Sequence, residues 1–231
     1  MRHEGYYLKI LRRADLPFEQ LKEVLADSAA RKYHAVRRGL AAHPRTPRRE
    51  ALSLVSTLFW RDLAYLSADS RVHPEIRRAA DRDLVRRLPE MALAERVDLA
   101  GKVGRGTLIM LRLDPDPRVL AAVLDNRFAT EPDVIQAATR TQTPPETLAV
   151  IARHPRWSLR ARVRSALLRN AHLPGPLLLG MLTRASREDL EGLVEAPGIP
   201  RVVRLCAQRV LAERSGEDYD QVLKKSGIER G

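Results

Sequence analysis

The stretch Leu40–Leu84, LAAHPRTPRREALSLVSTLFWRDLAYLSADSRVHPEIRRAADRDL, decides the fold once it is laid on Leu167–Leu211, LLRNAHLPGPLLLGMLTRASREDLEGLVEAPGIPRVVRLCAQRVL. At a shift of 127 residues Pro47 falls on Pro174, Asp62-Leu63 on Asp189-Leu190 and Leu66 on Leu193. Arg77 falls on Arg204, Ala80 on Ala207 and Leu84 on Leu211; just upstream, Arg37 falls on Arg164. A second shift, of 44 residues, lays Leu124-Asp125-Asn126 on Leu168-Arg169-Asn170. Three units of about 42 residues account for the longer shift, and self-similarity at that period is the mark of stacked supersecondary units.

The units read as helical. Apolar residues recur at helix spacing, as in Tyr33, Val36 and Leu40, and in Leu159, Val163, Ala166 and Leu167. Thr130-x-x-Asp133, Thr143-x-x-Glu146 and Ser186-x-x-Asp189 have the spacing of capping boxes, in which hydroxyl and carboxylate satisfy the open N–H groups of a helix start. Pro47, Pro117, Pro132 and Pro144 sit where a first turn tolerates a missing N–H. No segment alternates as a strand would. Two N-terminal helices are expected near 17–27 and 30–41, then units over about 40–84, 85–125, 126–168 and 169–212. In the second unit Gly101, Gly104 and Gly106 are expected to interrupt any helix and form an inter-helix loop. A short helix is expected near 218–225.

These motifs carry a resemblance. His43-Pro44-Arg45-Thr46-Pro47, Asp62-Leu63-x-x-Leu66, Ile76-Arg77-x-x-Ala80 and their later counterparts resemble the HEAT-like and armadillo-like α-solenoids, and especially bacterial repeat proteins related to the variant leucine-rich repeat. The resemblance covers residues 40–212. It implies an all-α stack of repeats of about 42 residues with macromolecular contacts, and it implies no reaction. The cysteine-ligated cluster domain of the variant leucine-rich repeat proteins is excluded by a single cysteine, Cys206. A HEAT-like alkylpurine glycosylase would need tryptophans beside a catalytic aspartate, and no Trp-Trp-Asp element occurs.

Composition narrows the classes further. The 231 residues carry 41 Lys+Arg against 29 Asp+Glu, a formal charge of +12, with 44% hydrophobic and only 4% aromatic residues. One cysteine rules out a disulfide scaffold and a four-cysteine zinc module. The apolar fraction is too high for a disordered chain. No apolar run reaches the length of a membrane span, and the N-terminus lacks the pattern of a signal peptide, so a cytoplasmic location is expected. Cys206 is expected to be a buried, reduced thiol.

Candidate binding residues follow from the repeats. Arg37 and Arg38 lie in an acid-free stretch over 31–49, and Arg160 and Arg164 in another over 153–170. With Arg77 and Arg204 they would form a basic ridge able to neutralise phosphates; the competing reading is that arginines solvate the outer faces of the stack. The excess is discounted as evidence for nucleic acid, because genomic base composition alone raises arginine usage. Trp60 and Trp157 are candidate partner anchors, although a tryptophan in such an array more often packs between helices. His43, Asn126 and Asn170 share one repeat position and are expected to close a helix rather than hold a metal. Asp62 and Asp189 recur and are expected to cap. Gly101-Lys102-Val103-Gly104-Arg105-Gly106 is not a phosphate-binding loop sequence.

The sequence thus predicts a single α-solenoid domain, with N-terminal capping helices over 1–39, repeats over 40–212 and a C-terminal cap or tail over 213–231. It predicts a non-catalytic module for a protein partner, with nucleic acid as the alternative through the ridge. No cofactor, metal or membrane is expected.

Overall fold

The computed structural model describes residues 3–219, so the helix expected near 218–225 lies almost wholly outside the described residues. The described residues are all-helical, with sixteen α-helices, one 3-10 turn and no strand. The helices are α1 (Glu4–Leu11), α2 (Phe18–Ala26), α3 (Ser28–Lys32), α4 (His34–Ala42), α5 (Arg48–Val55), α6 (Trp60–Ala68), α7 (Pro74–Arg87) and α8 (Leu93–Lys102). They continue with α9 (Arg105–Leu111), α10 (Pro117–Asp125), α11 (Glu131–Thr139), α12 (Pro145–Arg153), α13 (Ala161–Leu168), α14 (Gly175–Leu182), α15 (Arg187–Glu195) and α16 (Arg201–Ser215). None is long and apolar enough to cross a membrane.

The chain divides into two compact units, one of Met1–Arg112 with Asp125–Ala129, the other of Leu113–Leu124 with Thr130–Gly231. In the first, α4 packs on α1 and α5, α6 packs on α7, and α7 packs on α5 and α9. Its interior holds Tyr7, Leu40, Leu63, Leu66, Leu84, Leu99 and Leu108. In the second, α11 packs on α13, and α14 and α15 pack on α16, around Leu120, Leu148, Ile151, Val163, Leu167, Leu182 and Leu190. The 127-residue correspondence therefore runs element by element, from α4–α7 to α13–α16.

Most helices have only eight or nine residues, and proline sets many of their starts. Pro17, Pro47, Pro144, Pro174 and Pro200 are N-cap residues with φ near −60°, the value their ring fixes. Ser186–Asp189 forms the expected capping box; at Thr130 the Asp133 carboxylate accepts the Thr130 N–H, and the hydroxyl donates to that carboxylate as well. Thr143 forms no such box. Pro144 takes the cap, and the Thr143 hydroxyl instead donates to the Ala137 carbonyl at 2.8 Å. Leu159 also departs from its expected stripe. α13 begins two residues later, and Leu159 is 75% exposed.

A short helix leaves as many open carbonyls as a long one, with little interior to offset them. Arginine meets some of this demand and also serves carbonyls in the connecting turns. At least eleven arginines donate to backbone carbonyls, nearly all beside helix ends. Among them are Arg45 to Leu16 (3.2 Å), Arg87 to Leu58 (3.0 Å), Arg140 to Leu113 (3.1 Å) and Arg214 to Thr183 and Ala185 (2.7 and 2.8 Å). Arg31, Arg37, Arg96, Arg105, Arg127, Arg164 and Arg169 do the same.

The shared repeat position performs a related task. Asn126 donates to the carbonyls of Ala100 (2.8 Å) and Val103 (3.0 Å) and accepts from the Phe128 N–H (2.8 Å). Asn170 donates to Ala138 (2.7 Å) and Arg140 (3.0 Å) and accepts from His172 N–H (3.0 Å). His43 places Nε2 3.0 Å from the Arg13 carbonyl and accepts the Arg45 N–H at Nδ1. All three are buried.

The glycine-rich segment is not the expected loop. Gly101 lies inside α8 and Gly106 inside α9, with a break only at Val103-Gly104. There the backbone meets α6 closely. The Gly104 N–H donates to the Ser67 hydroxyl at 3.0 Å, and Ser67 donates to Asp81 at 2.7 Å. The same Asp81 oxygen receives the Thr107 N–H and hydroxyl, so a carboxylate from α7 caps α9. A Cβ on Gly104 would stand 2.3 Å from the Ser67 carbonyl oxygen, whereas one on Gly101 would meet nothing within 4 Å. Gly104→Ala is expected to destabilise the fold by about 1–3 kcal/mol through overpacking. Gly101→Ala is expected to stabilise it by about 0.5–1 kcal/mol through lost chain freedom in the unfolded state. Urea denaturation of the two variants checks the opposite signs.

Candidate functional site

One groove in the first unit gathers the residue types that bind partners. It has a volume of about 750 Å³ and is lined by Trp60, Arg61, Tyr65, Arg71, Lys102 and Arg127 among others. α6 supplies Trp60, Arg61 and Tyr65 at helical spacing, α8 supplies Lys102, and the turn after α10 supplies Arg127. Asn126, buried under that turn, fixes its position.

Each side chain is held. The Trp60 indole N–H donates to Glu95 at 3.2 Å, and Glu95 uses its other oxygen on the Ala92 N–H at the start of α8. Arg61 lies over the Trp60 ring, 4.9 Å from its centroid, with its Nε 3.8 Å from Asp98. Lys102 pairs with the same Asp98 one turn along α8. Arg127 donates to the Ala68 carbonyl at 2.9 Å and covers the Phe128 ring. Arg71 grips both oxygens of Asp69, at 3.0 and 2.8 Å, and its Nη2 is 3.4 Å from the Tyr65 hydroxyl. The hydrogen-bonded Arg71 guanidinium, working against partial burial, holds the Asp69 carboxyl down at about 2.

Beside the groove Asp62 departs from its expected capping role. It stands at the third position of α6, but the N-cap is Phe59, which offers no hydroxyl. The carboxylate turns outward instead, to His34 Nδ1 at 3.1 Å and Arg38 Nη1 at 3.2 Å. The His34 ring stacks on Phe59 with centroids 3.6 Å apart, and Arg38 lies 5.2 Å from the Tyr65 centroid. Its repeat counterpart Asp189 does cap, bonding the Ser186 N–H.

The other expected site residues lie elsewhere. Arg37 and Arg164 donate to the carbonyls of Arg31 and Leu159, each at 2.7 Å, at the starts of α4 and α13. Arg77 and Arg204 are half-buried, and their Nε atoms, like that of Arg37, are buried without a hydrogen-bond partner. Arg160 is exposed at the start of α13. Trp157 is 2% exposed, and its indole N–H donates to the Leu124 carbonyl at 2.9 Å, so its ring is packing and not presented. Cys206 is half-buried, and burial raises its thiol pKa.

Of the expected anchors only Trp60 lines the groove. Arg61, Tyr65, Arg71, Lys102 and Arg127 were not singled out by sequence as partners of Trp60. The nearest available signal was Arg61 and Tyr65 one turn apart beside it. No group of three or more His, Cys, Asp or Glu that could hold a metal occurs among the described residues. No protein-family model, curated protein or solved structure matches the chain.

Proposed function

We propose that the chain is an α-solenoid of HEAT/armadillo type that serves as a non-catalytic interaction module, docking a protein partner in the groove between α6 and α8. The element-by-element correspondence of α4–α7 with α13–α16 supports the repeat reading. One observation carries the docking reading. Trp60, Tyr65 and several arginines converge on a single concave surface, and Trp, Tyr and Arg are the residue types that dominate binding energy at protein interfaces. The nucleic-acid alternative rested on a ridge, and three of its members, Arg37, Arg38 and Arg164, spend a guanidinium nitrogen on neighbouring carbonyls or on Asp62.

The test places a photo-reactive phenylalanine analogue at Tyr65 in cells producing the full chain, with Leu159 as the exposed control position. A discrete protein adduct at Tyr65 and none at Leu159 is the expected result. A nucleic-acid adduct, or no adduct at Tyr65, overturns the proposal.

A further inference from the structure

Resting on that docking reading, we infer that the segment the groove receives is acidic, a polypeptide stretch presenting glutamate or aspartate carboxylates to Arg61, Arg71 and Lys102. The charges around the groove are unevenly exposed. The side chains of Arg61, Arg71 and Lys102 are 76%, 82% and 64% exposed, while their carboxylate partners Asp98 and Asp69 are only 34% and 14% exposed. Of the two acids that line the groove, Asp69 is tucked inward and Asp125 is exposed, while Arg61, Arg71 and Lys102 stand outward. Asp98 is also shared between Arg61 and Lys102, so one carboxylate faces two cations. By sequence the first unit carries 24 Lys and Arg against 15 Asp and Glu, so the field around the groove is positive as well.

The same geometry favours carboxylates over a nucleic-acid strand. Single strands bind by stacking bases on bare aromatic faces. Here a guanidinium already lies over each ring, Arg61 over Trp60 and Arg38 over Tyr65. Arg71 has its Nε and Nη2 on Asp69 and Arg61 has its Nε beside Asp98, so the donors left to an incoming carboxylate are their remaining guanidinium N–H groups and the Lys102 ammonium.

The experiment titrates the full chain by fluorescence anisotropy. The probes are a short labelled glutamate-rich peptide, its lysine counterpart and a single-stranded oligonucleotide of equal charge. The glutamate peptide is expected to bind, to weaken as salt rises, and to lose about ten-fold or more in affinity in Arg61→Glu/Lys102→Glu. The milder Arg61→Gln/Lys102→Gln should shift in the same direction, and an unchanged circular dichroism melt shows that the variants fold. No binding of the glutamate peptide, stronger binding of the oligonucleotide, or affinity indifferent to both double variants overturns the inference. A Tyr65 adduct that maps to a non-acidic segment of a protein sinks this inference and leaves the docking reading standing. No protein adduct sinks the docking reading itself.

Discussion

Trp157→Ala is expected to lower the stability of the second unit by about 3–5 kcal/mol, the range for emptying a buried tryptophan site. The ring lies in the turn between α12 and α13, almost wholly buried, with its N–H fixed on the Leu124 carbonyl. Arg156 covers it at 4.2 Å, and His154 stands at its edge with centroids 6.4 Å apart. Removing the indole opens a cavity and strands a buried carbonyl together, so two losses add. Trp157→Phe keeps most of the apolar area and should cost less. Trp60→Ala, at a half-exposed ring, should cost less still while disturbing the groove. Guanidinium denaturation followed by circular dichroism gives the order, and a Trp157→Ala loss below about 1 kcal/mol would contradict the packing described.

Asn126→Leu carries the second large effect. The exchange nearly conserves volume but removes two donors and one acceptor. It leaves the carbonyls of Ala100 and Val103 and the N–H of Phe128 without their partner inside the first unit. Buried polar groups left open cost about 1–3 kcal/mol each before relaxation, so a loss of about 2–4 kcal/mol is expected. Asn170→Leu should match it, because its three bonds follow the same pattern. Asn126→Leu should additionally loosen Arg127 from Ala68, and hydrogen exchange over 125–129 would report that local opening.

Much of the helical architecture could be read from local rules. The hydroxyl–carboxylate spacing at Thr130 and Ser186 works within four residues and needs no tertiary help, and the shared position of His43, Asn126 and Asn170 followed from spacing alone. Where several rules competed, the reading failed. At Thr143 two prolines follow the hydroxyl, and Pro144 itself becomes the cap. At Leu159 the apolar stripe was extended past the true start of α13. Gly104 and Gly106 looked like helix breakers, yet they serve close approach to Ser67 and Asp81, partners 37 and 25 residues away that no window contains. The groove was the least legible feature. Arg127 reaches Ala68 across 59 residues, and exposed cations follow no periodicity that marks them before the chain is folded. The basic stretches, by contrast, were visible at once, and Arg31, Arg37, Arg45, Arg164 and Arg169 within them hold the chain's own backbone.

That occupation has a consequence for how the protein meets its surroundings. A guanidinium stays protonated far into alkaline solution, where an ammonium would discharge. A lysine in place of Arg45, Arg87, Arg140 or Arg214 would bring a compact ammonium on a flexible stem where a planar, pre-organised fork now holds the carbonyl. Many of the chain's cations thus double as stitches between brief rods, each keeping its full charge while its N–H groups hold a carbonyl.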